Sequence, residues 1–209
     1  MINNYKDLTL EKYIELYELD ICGMEEIDIQ TSIISILSDM TADEILELPI
    51  PEYKKLAQQT AFMTVPPTVK SRKINKIYIN GKEYTVLDKI DKMTTGQYID
   101  YQTYLKKNDV KMLPYILSCL IIPKNEKYGD TDTIEDMKQI KVEEALTVSN
   151  FFMSKSLTSI KATLRYLEYM MKRKMKKVKD ETMKQQMTEA MEKLHSLQSS
   201  LKNGGGFHL

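Results

Sequence analysis

The sequence predicts a mainly α-helical protein: a helical domain with one inserted β-hairpin, at about residues 73–88, and a long C-terminal helix or helical hairpin. Three observations predict it. Apolar residues recur at steps of three and four through most of the 209 residues. The period changes to two only around Asn80-Gly81, the dipeptide favoured by a tight two-residue hairpin turn. From Thr158 onward a single apolar stripe continues to Leu201 without Pro or Gly. The expected organisation is a helical domain over 1–157, a long amphipathic element over 158–203 and a flexible tail over 204–209.

In chain order, residues 8–19 read as an amphipathic helix starting near Thr9, and 28–40 as a second, with Ile29, Ile33, Ile36 and Leu37 on one face. Thr41-Ala42-Asp43-Glu44 is a capping box, in which Thr41 and Glu44 satisfy each other's amide donors. Pro49 and Pro51 break the short helix that follows, and Pro51 suits the first turn of the next, expected to about Met63. Strands are expected over 73–80 and 82–88, with Ile77 and Ile79 on one face and Tyr84 and Val86 on one face of the partner. A lone hairpin is marginal in water, so it must pack on helices or pair with another edge. Thr94 or Thr95 caps a helix over 96–107. Residues 110–122 read as a buried helix with Pro114 in its first turn, and 123–133 as a loop. Asp132-Thr133-Ile134-Glu135 signals a short helix, and further short helices are expected over 142–146 and 149–157.

Beyond Thr158 the stripe includes Ile160, Leu164, Leu167, Met171, Met175 and Val178, then Met183, Met187, Met191 and Leu194. A straight helix of some forty residues would be about 60 Å long, longer than a small domain is wide. It requires a partner helix, a fold-back near Asp180, or disorder. The glycines at 204–206 stop it.

Lys+Arg and Asp+Glu both total 30, which excludes a generally basic nucleic-acid coat and an acidic solvating chain. The balance is not local. Residues 1–53 hold 13 acidic and 2 basic residues, and residues 155–202 hold 12 basic and 5 acidic. These read either as solvated helix faces or as opposite ends that meet within one chain or between copies; head-to-tail contact would give rings or filaments. The basic patch Lys172, Arg173, Lys174, Lys176, Lys177 and Lys179 has no aromatic within it to stack a base. The sequence therefore favours a solvated helix exterior or an acidic protein partner over nucleic acid.

Cys22 and Cys119 read as small buried hydrophobes, and with two histidines they fit no zinc spacing. Asp130, Asp132, Glu135 and Asp136 do not match a calcium loop and read as a solvated turn. No nucleophile–base pair, phosphate loop or cofactor motif is legible, so the expectation is a non-enzyme with no catalytic, metal or cofactor residues. No signal peptide is expected at the N-terminus. The longest apolar run, at 115–122, is far below the about 20 residues of a membrane span, so no membrane partner is expected. Fourteen methionines favour adaptable protein contact, and Met171, Met175, Met183, Met187 and Met191 are the candidate partner-binding anchors.

A wider pattern joins these elements: Asn80-Gly81-Lys82-Glu83-Tyr84, Met93-Thr94-Thr95-Gly96-Gln97-Tyr98-Ile99-Asp100, Leu117-Ser118-Cys119-Leu120-Ile121-Ile122-Pro123-Lys124, Val142 to Leu146, Phe151-Phe152 and Ile160-Lys161-Ala162-Thr163-Leu164. It resembles small morphogenesis proteins of tailed bacteriophages, described as tail assembly chaperone-like, and covers about residues 46–168. The resemblance implies a non-enzymatic protein that binds other phage structural proteins in the host cytoplasm during virion assembly. The long basic C-terminal helix lies outside that pattern. It keeps open a permanent virion component of the head–tail connector or tail, or packaged cargo, with self-association. A nucleic-acid-binding packaging accessory is the remaining alternative.

Overall fold

The computed structural model describes residues 1–67, 72–175 and 180–203, with side chains at 156–163, 197–198 and 200–203 left aside. The protein is mainly helical with one small antiparallel sheet. It divides into two compact units, Met1–Phe151 and a second from Phe152 on.

The first unit begins with α1 (Leu10–Glu18), capped by Thr9, and α2 (Glu26–Ser38). They run antiparallel, as Lys12 Nζ donates to Ile36 O at 2.8 Å and meets Asp39 at 2.5 Å. The helix α3 (Ala42–Leu46) opens on the expected capping box, with both reciprocal bonds formed between Thr41 and Glu44. Pro51 lies in the first turn of α4 (Ile50–Gln59), which tightens into a 3₁₀ turn over Thr60–Thr64. Tyr5 closes on Phe62 edge to face at 4.9 Å.

Strands β1 (Lys76–Ile79) and β2 (Lys82–Val86) form the expected hairpin, in register Ile77 with Tyr84 and Ile79 with Lys82. Asn80 (φ 50°) and Gly81 (φ 80°) both take the left-handed conformation that a type I′ turn requires. Ile77, Ile79, Tyr84 and Val86 are buried while Lys76, Tyr78 and Thr85 face out. Next comes α5 (Thr95–Lys106), capped by Thr94.

The segment 110–122, expected as one helix, is three elements: a 3₁₀ turn (Val110–Met112), α6 (Leu113–Ser118) and a strand β3 (Ile121–Pro123). This strand pairs with β2, placing Val86 opposite Ile121 and Tyr84 opposite Pro123. The uniformly apolar run suits a strand buried on both faces as well as a helix, and the open edge of β2 decides between them. It supplies the third strand the hairpin needs. Then α7 (Ile134–Lys138) packs against α6 and α1.

The expected short helices at 142–146 and 149–157 are one continuous helix, α8 (Val142–Met175), because nothing in the sequence breaks them. Its first residue is clasped by the N-terminus: Val142 N donates to Leu8 O at 2.9 Å, and Leu10 N to Ile140 O at 2.8 Å. The last described helix, α9 (Glu181–Asn203), starts with Asp180 Oδ1 accepting from Met183 N at 3.1 Å. The tail expected at 204–209 lies outside the described residues.

Candidate protein-binding site

In the second unit, α9 returns alongside the C-terminal part of α8. Were the helix straight, residues 168 and 195 would stand about 40 Å apart at 1.5 Å per residue; instead His195 Nε2 lies 3.5 Å from Glu168 Oε1. Of the alternatives the sequence leaves open, the chain takes the fold-back.

Protected positions on the two helices follow the same spacing. From residue 164 on, those of α8 are Leu164, Glu168, Met171 and Met175, at steps of four, three and four, with Met170 protected outside this row; on α9 they are Lys184, Met187, Met191 and Leu194, at steps of three, four and three. This is the repeat of a helix–helix seam. The Glu168–His195 contact puts the two stripes face to face. Only Leu194, 7% exposed, is buried; the four methionines of the seam remain half-buried. Met183, the fifth expected anchor, stands off the seam and is 53% exposed.

Of the basic patch, Lys172 is held by Glu168 at 2.5 Å, while Arg173 and Lys174 are exposed and make no ion pair among the described residues. Lys176, Lys177 and Lys179 lie outside the described residues.

The first unit holds a polar cluster that sequence reasoning did not single out. Tyr128 donates its hydroxyl to Asp100 Oδ2 at 2.8 Å and lies 3.6 Å from Cys119 Sγ. Gln97 Nε2 donates to Cys119 O at 2.7 Å. Tyr128 and Tyr104 border a pocket of about 270 Å³, walled by Ile121 and Pro123 and by Thr133 of the loop. Burial, then the bonds to Cys119 and Asp100, push the Tyr128 hydroxyl well above its usual range. Burial likewise pushes the Cys119 thiol up, so it is protonated at neutral pH and a poor nucleophile. The only advance signal was one tyrosine in an otherwise polar loop. Cys22, expected to be buried, is exposed, because it falls in the connector between α1 and α2 rather than on either helix face.

The acidic residues of the loop and α7 are each engaged. Asp130 accepts from Lys127 N, Asp132 from Ile134 N, Glu135 pairs with Lys138, and Asp136 accepts the hydroxyl of buried Tyr84. Among the described residues no group of three or more His, Cys, Asp or Glu is placed to hold a metal ion, and no helix is long and apolar enough to cross a membrane. Comparison with known protein families, with curated proteins and with solved structures finds no match in any of the three.

Proposed function

We propose that this chain is a non-enzymatic bacteriophage assembly protein that binds a helical segment of a larger phage structural protein, in the manner of a tail assembly chaperone. The phage assignment rests on the residue pattern over 46–168. The binding reading is carried by one observation: Met171, Met175, Met187 and Met191 form a seam that two helices leave half-buried. A third, amphipathic helix laid along the groove would bury the rest of those side chains. Methionine, unbranched and polarizable, adapts to such a guest more readily than Leu or Ile.

The test is co-expression of the chain with the structural proteins of a tailed phage, followed by affinity purification. One partner should co-purify and be lost from a Met171→Ala/Met187→Ala variant whose α9 retains its hydrogen-exchange protection. Retention of every partner by that variant would overturn the reading.

A further inference from the structure

We infer that α8 carries a second docking surface, facing away from the methionine seam, and that its occupant is a second copy of this chain. Tyr166, Tyr169 and Arg173 follow one another at steps of three and four. At about 100° per residue they lie roughly 160° around the helix from Leu164, Glu168, Met171 and Met175. Both tyrosines are 60% exposed, which leaves two large rings in water beside a guanidinium that makes no ion pair among the described residues. Arg165 and Lys174 flank the ridge without ion pairs among the described residues.

A complementary surface is present in the first unit. The connector between α1 and α2 is folded on itself: Met24 N donates to Ile21 O, Cys22 N to Asp20 Oδ1, and Gly23 takes φ 76°. Around this corner Tyr17, Ile21 and Ile27 are each more than half exposed. Glu25, Glu26 and Asp28 neighbour Ile27 in sequence and make no ion pair among the described residues, while Glu18, next to Tyr17, pairs with Lys111. Placement at the start of α2 accounts for Glu26 and Asp28, because carboxylates there are favoured by the helix dipole. It does not account for three large apolar side chains at the same corner. An exposed apolar corner with carboxylates beside it fits an aromatic ridge flanked by basic side chains.

The two surfaces differ, so the contact is heterologous. Each bound copy still offers one free ridge and one free corner, and association proceeds head to tail. The seam proposed for the phage partner lies on another face, so the two proposals fail separately.

The test is light scattering on the full chain over a range of concentrations, at low ionic strength and at about 0.5 M, where charges are screened beyond a few ångströms. Mass should rise with concentration at low salt and fall toward the monomer at high salt. A ridge variant, Tyr166→Ala/Arg173→Glu, and a corner variant, Ile21→Ser/Asp28→Lys, should each associate at least about tenfold more weakly. Mixed together they retain one working ridge and one working corner, and should stop at a dimer. The charge exchange Arg173→Glu with Asp28→Lys in one chain should restore growth, which separates a lost contact from a lost fold. A monomer at every concentration, variants that associate like the wild type, or association abolished by nuclease would overturn the inference; the last would assign the ridge to nucleic acid.

Discussion

Glu168 Oε1 meets two nitrogens at once: Lys172 Nζ at 2.5 Å from one turn ahead on the same helix, and His195 Nε2 at 3.5 Å from the returning helix. The carboxylate is thus a polar member of a mostly apolar seam, and Leu194, beside His195, is that seam's one buried side chain. Replacing Leu194 by Ala should cost the hairpin about 2 kcal/mol, at the low end for a core leucine because two helices can partly collapse around the gap. Amide hydrogen exchange along α9 should accelerate accordingly. Unchanged protection would mean that α9 is held by something other than this seam.

Gln97, buried on α5, does two jobs with one side chain. Its Oε1 accepts from Thr94 N at 3.2 Å, completing a capping box, and its Nε2 donates to Cys119 O at 2.7 Å. A Gln97→Leu change keeps the volume but strands a donor and an acceptor. The expected loss is about 1–3 kcal/mol in urea unfolding. A neutral result would require both groups to find water.

The two thiols should separate cleanly in a labelling experiment. Cys22 is exposed and should react at once with an aromatic disulfide reagent. Cys119 is fully buried with its thiol held protonated, and should react at least about a thousandfold more slowly, at the rate of structural opening. Equal rates would contradict the packing of α6 and β3 around Cys119.

Asp88 follows the hairpin and lies 2.7 Å from Lys92 Nζ and 3.4 Å from Lys73 Nζ. The hydrogen bond from Lys92, with a smaller one from Lys73, lowers its carboxyl from the ordinary 3.8 to about 2. A depressed folded-state value means that the stabilisation is complete above the unfolded value and disappears as pH falls through the folded one. Asp88→Asn should therefore flatten the acid-unfolding curve between about pH 4 and about pH 2, and leave its slope near neutrality unchanged. A wild-type slope in the variant would show that solvent already screens the pair.

The elements that were legible in advance are those specified by neighbours in sequence. Asn80-Gly81 dictates a turn whatever surrounds it, Thr41 with Glu44 satisfies amides within one turn, and Thr94 was one of two candidate caps for its helix. What was missed depends on distant residues. Ile121–Pro123 is a strand because β2, some 35 residues earlier, has an edge to fill. The Cys119–Tyr128–Asp100 cluster joins a helix, a helix end and a loop that no local spacing relates. The methionine stripe was legible as a stripe, but its division into two facing halves depends on the fold-back before Glu181.

The clasp between the N-terminal segment and the start of α8 also has a consequence for the order of events at the ribosome. Lys141 Nζ donates to Asp7 O across 134 residues of chain, beside the paired backbones of Leu8, Leu10, Ile140 and Val142. At about 5–20 residues per second, synthesis takes roughly 7–27 s to travel from one side of that clasp to the other. Leu8 and Leu10, fully buried in the finished protein, are therefore translated first and covered nearly last. The first unit cannot close progressively from its N-terminus; it shuts when the root of α8 emerges.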